Sequence, residues 1–180
     1  YHAMDSSKVT KKWHICQLFP HVKDPVYIAY TYGAVSEARR LGAKLTVVAA
    51  DGYGDLQTQI SQLEDCFAQG VDAVSIFAIS PTAMSTVIQE ARAKGKVVID
   101  CGIGMDTETD GEVIESFLEL GEVPAEYLKA KHPKGSGKVK LLWLPGPPGI
   151  LWVEDATSAF KAILADSDVE IVKVMYGDSG

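Results

Sequence analysis

The sequence predicts an α/β protein made of two doubly wound parallel-sheet lobes, the second of them incomplete within the chain. Three observations carry this reading. From Trp13 onward, short apolar runs alternate with segments of helical spacing, the pattern of strand–helix–strand units with right-handed crossovers. Most of the apolar runs lack polar/apolar alternation, which suits strands covered on both faces. The rhythm breaks once, between residues 102 and 122, with four units before the break and two after it. Two strands cannot cover themselves, so the chain is expected to be a piece of a longer protein. Its 180 residues amount to one domain or two small ones at roughly 150 residues each.

Residues 1–12 read as a flexible N-terminus or cloning scar, since Tyr1-His2-Ala3-Met4 lacks the apolar stretch of a signal peptide. The first lobe is expected over residues 13–105, with strands at 13–19, 45–50, 73–79 and 97–101. Residues 27–41 form its aromatic-rich first helix. Leu56, Ile60, Leu63 and Phe67 mark one stripe of a second, and Met84, Val87, Ile88 and Ala91 one stripe of a third. Asp24-Pro25 and Ser80-Pro81 each put a capping oxygen before a proline at the first helical position. Asp55 is a further cap, and Gly42, Gly70 and Gly95 fall where the three helices should end. Residues 106–180 read as a crossover and a partial second lobe. Pro124 interrupts the helical pattern before Tyr127-Leu128; strands at 139–144 and 169–175 then flank a stripe of Val153, Ala156, Phe160 and Ile163.

Composition narrows the function classes. Hydrophobic residues make up 47% of the chain and the net charge is −7, so there is material for a core and a poor match to a phosphate backbone. Nucleic acid is not an expected partner. No apolar run approaches the roughly 20 residues of a membrane span. Gly52-Tyr53-Gly54 and Gly102-Ile103-Gly104 lack the third glycine of a dinucleotide fingerprint. Gly135-Ser136-Gly137-Lys138 fails the phosphate-loop spacing and precedes a strand. The four histidines have no metal-ligand spacing and there is no Gly-x-Ser-x-Gly elbow. No cofactor, no metal and no catalytic residue are therefore expected, and an enzymatic role is disfavoured.

In a doubly wound sheet, ligands sit beyond the carboxyl ends of the strands. The informative residues there are aromatic: Tyr27 in the first turn after strand one, Tyr53 just after strand two, and Phe117 and Trp152 in the second lobe. With Asp24 they make a candidate cage of rings and one carboxylate, chemistry that holds a small alkylammonium group through the negative ring faces. The plainer alternative is that Tyr27 and Trp152 only pack and Asp24 only caps its helix. The loops at 20–27 and 51–55 contain no Asn, Gln or Arg, the donors and acceptors a sugar would need. Asp24, Tyr27 and Tyr53 are expected to converge, because the loops after two paired strands are neighbours.

Four strings carry a resemblance: Pro20-His21-Val22-Lys23-Asp24, Tyr32-Gly33-Ala34-Val35-Ser36-Glu37-Ala38, Gly52-Tyr53 followed by Gln59 and Gln62-Leu63, and His132-Pro133-Lys134-Gly135-Ser136-Gly137-Lys138. They resemble the type I periplasmic binding proteins, the class of the ribose-binding protein and of the ligand cores of LacI-type repressors. The strings match a sensor branch that detects trimethylamine N-oxide. That resemblance implies a periplasmic location, an aromatic ligand box and a small polar, methylamine-like ligand. It also implies a membrane sensor histidine kinase as partner, or an ABC permease if the chain belongs to an importer. Asp24 and Tyr53 match the branch in type, Tyr27 and Phe117 stand at or near its tryptophans, and a further aromatic would lie beyond Gly180. A homodimer is a further expectation, because open sheet edges invite pairing. Cys16 falls in strand one and Cys66 near the end of helix two. A disulfide in an oxidising compartment is one reading, and two buried free thiols are the expected one.

Overall fold

The computed structural model describes residues 3–177. The chain divides into two compact units between Ile114 and Glu115. After a single 3-10 turn at Ser6–Lys8, the first unit runs β1 (His14–Phe19), α1 (Pro25–Leu41), β2 (Lys44–Ala49), α2 (Leu56–Ala68), β3 (Ala73–Ile76), α3 (Ser85–Ala93), β4 (Val97–Gly102) and β5 (Gly111–Ile114). Its five strands form one sheet in the order β2-β1-β3-β4-β5, and every pairing is parallel. The second unit runs α4 (Phe117–Lys131), β6 (Val139–Trp143), α5 (Leu151–Leu164) and β7 (Val169–Val174), with β6 and β7 paired parallel in a separate sheet. This is the two-sheet α/β architecture the sequence predicts.

The helix punctuation holds at most positions. Asp24 Oδ1 accepts the Val26 N–H at 3.0 Å with Pro25 in the first turn, and Gly42 closes α1 in the left-handed region. At Ser80-Pro81 the expectation fails. The Ser80 hydroxyl accepts the N–H groups of Thr82 and Ala83 at 3.4 and 3.3 Å and so caps a turn, and α3 begins only at Ser85. Pro124 does not interrupt α4, which runs continuously across it. Burial of Gly121 and Ala125 against α5 holds that helix together, an instance of packing overriding local propensity. Residues 106–114, read from the sequence as the start of the crossover, end in a strand of the first sheet. β5 lies at the sheet edge with Glu112, Val113 and Ile114 exposed.

The first core packs α2 and α3 on one face of the sheet: Leu18, Leu63, Val71, Val74, Ile76, Met84, Ile88 and Val98, together with Cys16 and Cys66. Cys16 and Cys66 are bonded as a disulfide, contrary to the expected free thiols. The reason is tertiary: docking α2 on β1 brings the two Cα atoms to 6.2 Å, within bridging range. Cys101 is the free thiol. Its neighbour Ser75 lies 3.2 Å away, and burial pushes the thiol pKa up, so it stays protonated. The second core is smaller. Ala125, Phe160 and Leu164 pack with Leu141, Trp143 and Ile171, and the Trp143 and Phe160 rings stack at 3.8 Å. Leu142 and Val172 of the same short sheet are exposed, as in a parallel sheet only half covered.

Candidate functional site

Strands β1 and β2 are paired along their full length, so their following loops emerge side by side. Backbone and side-chain bonds fix the two loops together. The Gly52 N–H donates to the Pro20 carbonyl at 3.0 Å, and Lys23 Nζ donates to the Asp51 carbonyl at 3.0 Å while pairing with the Asp51 carboxylate at 3.2 Å. The consequence is direct: the Tyr27 and Tyr53 hydroxyls meet at 2.8 Å. Asp24 stands at the N-terminus of the helix that carries Tyr27, one oxygen spent on the cap.

The structure adds residues that the sequence reading does not single out. His21 is 1% exposed and lies between the two tyrosines, its ring centroid 5.1 Å from Tyr27 and 5.2 Å from Tyr53, both nearly perpendicular. Phe19 and Phe77 also contact Tyr27, at 5.3 and 5.7 Å, and Tyr30 covers Phe77 at 4.8 Å. Tyr27 is thus a packed ring that brings its hydroxyl to the strand ends, whereas Tyr53 is half-buried. The signal for Phe77 is its place inside the third apolar run, 73–79; a lone histidine gives no periodic signal at all.

Phe117 and Trp152 belong to the second unit. Phe117 opens α4 and Trp152 sits in the first turn of α5, both half-buried. A side chain at Gly146 would meet the Trp152 ring at 2.7 Å, and its φ of +126° is one that L residues rarely adopt, so glycine there is what seats the indole.

Phe77 is held in place by Gln59, which is completely buried on α2. Its Nε2 donates to the Phe77 carbonyl at 2.8 Å and its Oε1 accepts the Ile79 N–H at 2.9 Å. One side chain therefore satisfies two backbone groups that β3, ending at Ile76, no longer pairs. Gln59→Leu leaves both unmet and is expected to cost about 2 kcal/mol of stability. Urea denaturation measures it, and an unchanged midpoint would contradict this role.

Asp100, near the end of β4, is fully buried, and neither carboxylate oxygen reaches hydrogen-bond geometry with a partner. Burial pushes its pKa up, the Glu112 charge adds to the rise, and the nearby N–H groups of Met105 and Gly104 offset only part of it. A carboxyl group whose folded pKa is raised stabilises the fold only while protonated, and that contribution is lost as pH rises through the folded value. Asp100→Asn should therefore match the parent near the unfolded carboxyl pKa of about 4 and become the more stable protein toward pH 7. Denaturation at the two pH values checks the sign; a less stable variant at pH 7 would reverse it.

A surface groove of about 320 Å³ lies elsewhere, lined by Glu64, Phe67, Val87, Glu90, Ala91 and Lys94, at the C-terminal ends of α2 and α3 and so away from the tyrosine pair. Among the described residues there is no cluster of His, Cys, Asp or Glu that could hold a metal ion, and no helix is long and apolar enough to cross a membrane.

A five-stranded parallel sheet in this order, followed by a second parallel sheet, is the α/β architecture of the periplasmic binding proteins. The chain belongs to the periplasmic binding protein domain family, whose pattern matches residues 16–180. Periplasmic protein TorT of Escherichia coli K12 is 29% identical over 174 residues, 96% of this chain and 49% of that protein. The ribose import binding protein RbsB of Bacillus subtilis is 28% identical over 87% of the chain and 50% of its own length. Among solved structures, an ABC transporter solute-binding protein from Bradyrhizobium sp. BTAi1 with bound bis-tris superposes with a TM-score of 0.80 at 39% identity, over 100% of this chain and 54% of that one. The complex of the TorS sensor domain with TorT, without ligand, matches with a TM-score of 0.81 at 30% identity, over 93% and 58%. The chain spans about half the length of the relatives it matches.

Proposed function

We propose that this chain is part of a periplasmic receptor that captures a small polar, methylamine-like ligand and signals its capture to a membrane sensor histidine kinase. The observation that carries the reading is the bonded Tyr27–Tyr53 pair beside Asp24 on two tied loops. The Tyr53 ring offers a negative face to N-methyl groups, whose carbons carry the positive charge of the ammonium or N-oxide. Within the hydroxyl pair one group donates to the other, and the second can serve an N-oxide oxygen as donor. Asp24 supplies an anion for a fully cationic amine. Phe117 and Trp152 are the aromatic candidates of the second unit.

The relatives support this chemistry. TorT has been solved with the TorS sensor domain in the presence of trimethylamine N-oxide. The ligand in the 39%-identical structure, bis-tris, is itself a tertiary amine. That same structure favours a second reading, the solute-binding component of an ABC importer. Calorimetric titration of the full-length protein with methylamines, amino acids and sugars tests the ligand class: heat with methylamines is expected, and tight sugar binding without a methylamine response overturns it. Sedimentation of the liganded protein with the periplasmic domain of a kinase encoded beside it separates sensing from import. A stable complex is expected, and its absence beside a neighbouring permease and ATPase favours import.

A further inference from the structure

We propose that His21 is a positioning residue whose protonation disorders the tyrosine pair, so that the site is intact when the imidazole is neutral and is lost as pH falls; as a statement about ligand capture, this rests on the reading given above. Three features of the geometry point to it. His21 is 1% exposed, so its ring has one fixed place. It stands nearly perpendicular to both Tyr27 and Tyr53, at 5.1 and 5.2 Å, and so is in ring contact with each member of the pair. Its Nδ1 accepts the Lys23 backbone N–H at 3.3 Å, which requires a lone pair at Nδ1 and places the neutral ring's proton on Nε2.

Protonation fills that lone pair. The imidazolium then presents an N–H to the Lys23 N–H, two donors facing each other, and the turn over residues 21–23 loses its closing bond. The next residue is Asp24, the cap of α1 and the candidate anion, and Lys23 itself ties this loop to Asp51. A broken turn therefore acts on the two contacts that set Tyr27 against Tyr53. The new charge also lies between the rings, where it competes with a cationic ligand for their faces. The titratable and charged groups on the elements around the imidazole include Lys23 and Asp24 on its own loop, Tyr27 on α1, and Asp51, Tyr53 and Asp55 on the loop after β2. Ordinary carboxylates, phenols and ammonium groups keep their charge between pH 5.5 and 8, whereas an ordinary imidazole titrates in that window. The sign follows: the ordered pair is favoured above the histidine pKa and lost below it.

Two measurements on the full-length protein test this. The first needs no ligand. In a protein labelled with ¹³C in its histidine and tyrosine rings, the Tyr27 and Tyr53 resonances should shift with the same midpoint as His21 between pH 8 and 5.5. Tyrosine resonances that stay still while His21 titrates overturn the proposal. So does a His21 that never titrates across that range. The second uses tetramethylammonium, which has no proton to lose, so that any pH slope belongs to the protein. Its affinity should fall about tenfold toward acid pH in the parent. The slope should be absent in His21→Asn, whose Oδ1 keeps an acceptor for the Lys23 N–H and which cannot be protonated. A parent that binds with a flat profile, or a His21→Asn variant with the parental slope, contradicts the role. If no methylamine binds at any pH while the tyrosine resonances still follow His21, the ligand reading fails and the His21 switch stands.

Discussion

Replacing Cys16 and Cys66 together by alanine should lower the unfolding free energy of the first unit by about 4 kcal/mol. That figure is the chain-entropy value for a loop of this length, given the sequence separation of 50. The effect is large because of where the bridge sits. Cys16 is fully buried in β1 and Cys66 is 2% exposed on α2, so the crosslink ties the central part of the sheet to the helix that also carries Leu63 and Gln59. Reduction acts in the same direction without a mutation. Parallel urea titrations of the oxidised, reduced and double-alanine proteins should give one high midpoint and two low ones. Three coincident midpoints would show that docking of α2 on β1 is stable without the covalent link.

The second large effect belongs to Gly121. A Cβ placed there would fall onto the Ala156 carbonyl oxygen, with the Ala156 carbonyl carbon at 2.7 Å and the Phe160 nitrogen at 3.0 Å. These are backbone atoms of α5 and cannot swing aside as a side chain would. Helices α4 and α5 approach closely only because this position lacks a side chain, and their contact supplies much of the second unit's small core. Gly121→Val must push the helices apart and uncover Phe160, at a cost of roughly 3 kcal/mol. The fluorescence of Trp143, stacked on Phe160, reports it in the same unit. A Trp143 transition at the parental midpoint would mean that the helix pair can separate without loss.

These two effects mark the boundary of what the sequence makes legible. Six strands stand out as mainly apolar runs, although in β6 and β7 exposed positions such as Lys140, Glu170 and Lys173 interrupt the run. The edge strand at Gly111–Ile114 does not, since only Val113 and Ile114 are apolar and both are exposed. Asp24-Pro25 announces a helix correctly because cap and proline act within one turn. Ser80-Pro81 has the same local chemistry, yet its hydroxyl closes a turn and the helix starts five residues later. The convergence of Tyr27 and Tyr53 follows from the topology of paired parallel strands and could be anticipated. What topology alone does not reveal is which buried groups organise them: His21 and Gln59 act through hydrogen bonds with backbone atoms, and such bonds leave no period or spacing in a sequence. The disulfide was illegible for a related reason, because proximity across 50 residues arises only once α2 has docked.

The central claim is that the carboxyl-end loops of the first sheet hold a methylamine through the Tyr27–Tyr53 pair. It is tested most directly by the affinity of the full-length protein for trimethylamine N-oxide, measured by calorimetry in the parent and in Tyr53→Ala, Tyr53→Phe and Tyr27→Phe. Removing the ring at residue 53 should weaken binding about two- to thirtyfold, since one ring face is worth about 0.5 to 2 kcal/mol and tenfold corresponds to about 1.4 kcal/mol. The two phenylalanine variants keep the rings and break the 2.8 Å hydroxyl bond; each should lose less than Tyr53→Ala and more than nothing. Parental affinity in all three variants would contradict the account.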